Sequence, residues 1–320
     1  MLIVHEHGQH ERPTIWHAGM GKPKAPIWID LLEPSDDERR CAAEITGLRV
    51  PERSDIVNLA LSSRIRTDDD AMYLSIPYFA DTNNGHAAQP VGIVVTNHVL
   101  MTLRFTESPA FDLANASCEH QKWESSADVL ATLIEAIVNL GAQRMEDVSA
   151  ELKKLSDRVF TPERLGTPVL RDCMLEVGRL EGMQARNRSS MLGVQRIVSF
   201  VRAKKPDWMA DAVEVRLRVV DHDLRTLDEF DDQLTNKLQF LLDATLGFIS
   251  TDQNHVMKVL TVTSVATIPP LILAGIWGMN FKDMPELNWH WGYPMAIGVM
   301  LISMALPVLF FKWRGWWSGD

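Results

Sequence analysis

Few residues in this chain have the types and spacing that chemistry needs. His5, His7 and His10 lie close enough to share a metal ion, or else form a polar tail. Gly19-Met20-Gly21-Lys22 has the residue types of a phosphate loop, but the Gly-x4-Gly-Lys-Ser/Thr spacing that wraps amides around a phosphate is missing. Thr67-Asp68-Asp69-Asp70 sits between two strand-like stretches and reads as a turn. Asp221-His222-Asp223 offers two carboxylates and an imidazole to a divalent cation; the same residues also suit a solvated helix face. No Gly-x-Ser-x-Gly, no His-Glu-x-x-His and no nucleophilic Cys/His pairing is present, so no catalytic site and no organic cofactor are expected. One more polar group stands out by its place. Asn280, with an amide carbonyl and NH2 group, follows directly on a long stretch without charge.

That stretch belongs to the elements that must position any site. Residues 259–279 run for 21 residues without an Asp, Glu, Lys or Arg, and residues 294–311 for 18. The first spans about 30 Å as a helix, the thickness of a bilayer's hydrocarbon core. Six of the ten tryptophans, Trp277, Trp289, Trp291, Trp313, Trp316 and Trp317, lie at the ends of these stretches, where amphipathic rings settle at the headgroups. Lys258 precedes the first span and Lys312 and Arg314 follow the second, while the loop 281–293 holds Lys282, Asp283 and Glu286. Positive flanks stay inside, so both termini are expected in the cytoplasm and the loop outside.

Mean hydropathy is −0.07, an average that hides this partition. Net charge is −10, and the last 62 residues balance at three basic and three acidic groups, so the excess belongs to residues 1–258. An acidic body argues against nucleic acid as a partner. Cys41, Cys118 and Cys173 are too scattered for a disulfide framework or a metal knuckle and suit a reducing compartment. Two spans in one chain cannot enclose a hydrophilic path, so conduction would require several copies about a common axis.

Ahead of the membrane, residues 207–246 contain no Gly and no Pro, and Pro206 marks a helix start. Leu217, Val220, Leu224, Leu227, Leu234, Leu238 and Leu241 form a heptad seam, with Asp231 at one seam position. The pattern predicts one helix from about residue 207 into the first span. Asp231 is read either as a register-setting polar residue or as an acid facing an axial cavity. Pro269 and Pro270 each remove a helical donor within the span; the result is a simple kink or a carbonyl turned to a wet pore. Residues 1–105 read as mixed α/β, with a strand at 27–31, a helix capped by Ser35 and Glu38, a strand at 71–79, and a hairpin over 91–105 turning at Asn97-His98. Long helices are expected at 127–158 and 169–204.

The residues around Asn280 resemble a known family. Gly278-Met279-Asn280, the Met284-Pro285-Glu286-Leu287 loop, Trp291-Gly292-Tyr293-Pro294, the Pro269-Pro270 pair and the two C-terminal spans together resemble the CorA family of divalent-cation channels. The resemblance is sharpest over residues 250–317 and agrees in layout elsewhere. It implies an α+β cytoplasmic domain with long helices, a long stalk helix and two C-terminal transmembrane helices, assembled as a homopentameric funnel. The expected divisions are a cytoplasmic α/β domain at 1–125, a helical hairpin at 126–205, the stalk at 206–258, a pore-lining span at 259–280, a periplasmic loop at 281–293, a second span at 294–311 and a basic cytoplasmic tail at 312–320.

The resemblance also implies a function: Mg2+ influx across the inner (cytoplasmic) membrane of a bacterium, with Co2+ and in some members Ni2+ also carried, and gating by intracellular Mg2+. Mg2+ would be both cargo and regulator, and the partners would be the bilayer, divalent cations and further copies of the chain. The alternative is zinc (or Co2+/Ni2+) transport on the same two-span plan. The zinc branch departs from the Met of the triplet and from the loop kept here. A reading of another class is a membrane-anchored scaffold that conducts nothing. By resemblance, Gly278, Met279 and Asn280 form the selectivity mouth. Mg2+ gives up water reluctantly, and a ring of amides holds a hydrated ion without binding it too tightly to leave. Asp283 and Glu286 would concentrate cations there. Met257, Leu260, Thr261, Ser264 and Ile268 fall on the pore and gate stripe. Asp243, Asp221, Asp223 and Asp231 are candidates for a cytoplasmic acid ring or cation sensor, and Lys312 and Arg314 for a basic ring.

Overall fold

The computed structural model describes residues 1–6, 13–16, 20, 21, 23, 25–61, 65–68, 71–79, 88–118, 122–161, 166–280, 284, 285 and 289–316. The chain forms two compact units. One comprises Met1–Phe160 and Leu175–Phe240, the other Thr161–Met174 and Leu241–Asp320.

In the first unit, seven strands make one sheet: β1 (Leu2–Glu6), β2 (Thr14–Trp16), β3 (Pro26–Leu32), β4 (Ile65–Asp68), β5 (Ala71–Phe79), β6 (Ala88–Val95) and β7 (Leu100–Arg104). Their order is β2-β1-β3-β7-β6-β5-β4. Among the described strands, only β3 and β7 pair in parallel. Alternation along the strands sorts side chains between two buried faces. Ile29, Leu31, Val94, Met101 and Leu103 share a core with Cys41, Ala42 and Ile56 of helices α1 (Asp36–Thr46) and α2 (Arg53–Leu61). α1 begins as its sequence predicts. The Ser35 hydroxyl accepts from the Glu38 amide at 3.3 Å, and the Glu38 carboxylate accepts from the Ser35 amide at 2.9 Å. Gly47, at φ 68, closes the helix in a left-handed conformation that costs glycine nothing. The predicted β6–β7 hairpin forms, with Asn97 and His98 at its tip and the Thr96 amide donating to the Val99 carbonyl at 3.1 Å.

The opposite face packs on α3 (Pro109–Ser117) and α4 (Ser126–Val159). Here the structure corrects the reading of His5. It is neither a tail residue nor a metal ligand: it lies in β1, stacked on Trp28 at 4.8 Å and edge-on to Trp123 at 5.3 Å. Its Nε2 lies 2.8 Å from Asn115 Oδ1, and burial pushes the imidazole pKa below its ordinary value. β1 is flanked on both sides by strands, which buries a residue the local sequence marks as polar. His7, His10, Gly19, Lys22, Asp69 and Asp70 lie outside the described residues.

The same face holds an ion pair that the sequence does not announce. Asp30 and Arg104 are 0% and 2% exposed. Arg104 Nε and Nη2 donate to Asp30 Oδ2 at 3.0 and 2.9 Å. The Thr102 hydroxyl donates to Asp30 Oδ1 at 2.7 Å and itself accepts from Trp28 Nε1 at 3.0 Å. The guanidinium also lies 4.7 Å above the Phe111 ring. The parallel register, Asp30 beside Thr102 and Leu32 beside Arg104, brings these residues together across more than 70 positions of sequence.

Two longer helices complete the unit: α5 (Thr167–Lys204) from Leu175 onward, and α6 (Asp211–Trp277) as far as Phe240. α4 and α5 approach closely at Gly141, where an added Cβ would meet the Met191 thioether at 2.6 Å. Asn187 Nδ2 donates to the Gly141 carbonyl there at 2.9 Å. α6 starts at Asp211 rather than at 207. Lys205 takes φ 35, the Met209 amide closes a turn onto the Pro206 carbonyl at 2.9 Å, and the Met209 side chain is buried, so the chain folds back before it coils. Six of the seven predicted seam residues, Leu217, Val220, Leu224, Leu234, Leu238 and Leu241, are buried, whereas Leu227 is half-buried; Val213, one turn earlier, is buried as well.

In the second unit, α6 continues without a break through Pro269 and Pro270 to Trp277, and α7 (Gly292–Trp313) follows. The Thr167 hydroxyl of α5 donates to Asp252 of α6. α6 and α7 are both long and apolar enough to cross a membrane.

Breaking the buried Asp30–Arg104 pair by one partner strands a charge. Arg104→Met is expected to cost about 3–5 kcal/mol. The double variant Asp30→Leu, Arg104→Met is expected to recover more than half of that in unfolding of the detergent-solubilised protein. Equal losses in the single and double variants would contradict the account.

Candidate ion-conducting site

The end of α6 is built from residues that leave the helix in order. Gly278 N donates to the Ala274 carbonyl at 2.9 Å and Met279 N to the Ile276 carbonyl at 3.2 Å, and Asn280 follows outside the helix, exposed. A Cβ on Gly278 would lie 3.1 Å from the Ala274 carbonyl, so glycine suits this tight exit. Asp283 and Glu286 lie outside the described residues.

Down the span, Met257, Leu260 and Ile268 are more than half exposed, and Thr261 and Ser264 are partly so. At 3.6 residues per turn, 257, 261, 264 and 268 share one stripe. Val262 and Ala266, on another face, are buried. The hydroxyls on the stripe are held against their own helix: Thr261 donates to the Met257 carbonyl at 2.7 Å and Ser264 to the Leu260 carbonyl at 2.8 Å. Their lone pairs remain outward as acceptors. Pro269 and Pro270 take away the amides that would close on the Val265 and Ala266 carbonyls. Lys312 in the last turn of α7 and Arg314 just after it are exposed, and Arg314 lies 5.9 Å over the Phe310 ring.

The candidate acids differ in their surroundings. Asp221 is 7% exposed, and its Oδ2 accepts from Arg202 at 2.9 Å and Arg225 at 3.1 Å. Asp223 and Asp243 are exposed. Asp231 is 1% exposed, inside the seam between α5 and α6. Its Oδ2 accepts from Arg188 at 2.9 Å, and its backbone carbonyl accepts from Gln184 Nε2 at 2.8 Å, while Oδ1 has no hydrogen-bond partner among the described residues. Arg188 also pairs with Asp228 at 3.4 Å and Asp232 at 3.0 Å. Desolvation pushes the Asp231 carboxyl above the usual carboxylate range, Gln184 and Arg188 pull it down, and Asp228 and Asp232 push it up. Burial pulls the Arg188 guanidinium down, and the three acids more than reverse this. The arginines that neutralise Asp221 and Asp231 escape a sequence reading. The available signal is three aspartates on one turn of a seam helix, which demand a cation from the facing helix.

Comparisons with known proteins give the family. The model of the CorA-like Mg2+ transporter protein family matches residues 23–313. The chain is 31% identical over 295 residues to the magnesium transport protein CorA of Escherichia coli, covering 91% of this chain and 92% of that protein. It is 30% identical over 297 residues to the magnesium transport protein CorA of Pectobacterium atrosepticum, with the same two coverages of 91% and 92%. Among solved structures it resembles the complete CorA magnesium transporter of Methanocaldococcus jannaschii, with TM-score 0.75, 18% identity, and coverage of 100% of this chain and 98% of that one. The chain therefore belongs to the CorA-like Mg2+ transporter protein family, a family of transporters and not of enzymes.

The state of Asp231 gives a pH prediction. Its folded pKa is raised, so between the unfolded value near 3.8 and the folded one the native state holds the extra proton. Stability relative to Asp231→Asn is thus highest at the acid end of that window and falls as pH rises through it. Denaturation of both proteins across that range checks this; a difference that grows with pH would contradict it.

Proposed function

We propose that the chain forms a homopentameric channel for Mg2+ influx across the bacterial inner membrane, with both termini in the cytoplasm. The observation that carries this is the charge-free stripe of α6 that ends in Gly278-Met279-Asn280. The names of its relatives, magnesium transport proteins, support the ion. In this reading the α6 spans of five copies line the pore and the α7 spans lie outside them.

Five Asn280 amides at the mouth hydrogen-bond an ion that keeps its water, and Asp283 and Glu286 raise its local concentration. Below, Met257, Leu260 and Ile268 narrow the path into apolar rings that close by dewetting, with Thr261 and Ser264 between them. Lys312 and Arg314 ring the inner end. Co2+ and Ni2+, close to Mg2+ in size when hydrated, pass by the same route. Zinc transport on the same plan is the alternative.

Gating follows from charge. Residues 1–258 carry the whole excess of −10, and acids facing each other between copies repel. Intracellular Mg2+ bound between them holds the closed state; its loss lets the copies move apart and the gate wet. Asp223 and Asp243 are exposed, and Asp221 and Asp231 face arginines of their own chain.

Flux into proteoliposomes tests the reading. Wild-type protein is expected to pass Mg2+ and to be blocked by hexaammine-cobalt, a mimic of the hydrated ion. Asn280→Ala is expected to lose selectivity for Mg2+ or most of its flux. Unchanged Mg2+ uptake by Asn280→Ala would remove Asn280 from the selectivity ring. Zn2+ flux without Mg2+ flux would favour the alternative.

A further inference from the structure

The second unit contains a cavity of about 370 Å3 between the end of α6 and the start of α7. Its walls include Trp277 and Gly278 of α6 and Tyr293, Met295, Ala296 and Met300 of α7. No wall residue is ionisable at neutral pH, and the polar side-chain groups are the tips of two aromatic rings, Trp277 and Tyr293. Ala274, Gly278, Gly292 and Ala296 place little side-chain bulk in its wall.

Its surroundings decide the occupant. The cavity opens on helices apolar enough to cross a bilayer, and the surface of α7 further along is a continuous apolar band, with Leu301, Ile302, Leu306 and Leu309 each more than 60% exposed. At the same end of the spans, Trp289, Trp291 and Tyr293 are 55%, 64% and 79% exposed, the positions of rings that sit among lipid headgroups.

We propose that this crevice is a binding site for a phospholipid of the adjoining leaflet: one acyl chain lies between Trp277 and Met300, and the headgroup stands at the level of Trp289 and Trp291. The chain fills the space beside Gly278 and so supports the turn that carries Met279 and Asn280. The inference rests on the membrane reading of α6 and α7, not on which ion is carried.

Two measurements on the full chain test it. In native mass spectrometry after detergent extraction, the wild type retains one phospholipid per chain. Ala296→Phe, which fills the crevice, loses it. Ala305→Phe, on an exposed position of α7, keeps it. Equal retention in Ala296→Phe and the wild type would overturn the site. The second measurement needs no change in the crevice other than removal of the reporter. The emission of Trp277, taken as the difference between wild type and Trp277→Phe, is expected to fall in vesicles of brominated phosphatidylcholine relative to unbrominated ones. No fall would mean that side chains of a second copy or of the connection between the spans occupy the crevice, and the proposal fails. Mg2+ flux is scored separately in unbrominated vesicles, so loss of transport and loss of lipid binding are distinguishable.

Discussion

A bilayer core offers no partner to a peptide amide, a carbonyl or a metal ion. The spans of α6 and α7 meet this constraint as continuous apolar helices without a charge. The same constraint forbids a single copy from conducting, because two helices cannot shield an ion from lipid on all sides. An ion path therefore has to be shared between copies, and the residues that touch the ion have to lie where the helix ends and backbone and amide groups become available. Gly278-Met279-Asn280 occupies that position. The absence of carboxylates in the span fits the proposed route, in which an ion too costly to dehydrate would be handled through its water by neutral groups.

α6 joins this span to the acidic body as one helix of 67 residues. Its seam is built for packing, and Asp231 is the exception. A carboxylate at a buried seam position is held by Arg188 in one arrangement of α5 against α6. Sliding the helices by a turn would strand it, at a cost of several kcal/mol. The polar joint thus fixes register where a run of leucines alone would tolerate slippage. Asp30 and Arg104 do the same for the sheet, because their geometry is met in one pairing of β3 with β7. In both places a buried ion pair contributes specificity at little net gain in stability.

Much of this was legible in the sequence where the signal is local or periodic. The spans, the seam of α6, the Ser35 capping box and the hairpin at Asn97-His98 each depend on residues close together in the chain, and each formed as expected. The sequence did not reveal β1, β2, β4, α2 or α3, which are short and owe their existence to neighbours far along the chain. His5 looked like part of a polar tract and is a core residue because strands close on both sides of it. Pro206 marked a helix start correctly in kind and four residues early in place, because burial of Met209 draws the chain into a turn first. At the candidate site, the charge-free run and the family resemblance name the triplet and the stripe as candidates. The arginines facing Asp221 and Asp231 were not legible, since only the folded helices bring Arg202 and Arg188 to them.

The central claim is that one stripe of α6 faces a shared aqueous axis. Single cysteines placed along the span and treated with a membrane-impermeant thiol reagent during Mg2+ flux test it directly; the native cysteines Cys41, Cys118 and Cys173 are all buried. The account predicts that modification at 257, 261, 264 and 268 blocks flux and that modification at 262 and 266 does not. Block without this helical period, or block at 262 and 266 alone, would contradict it.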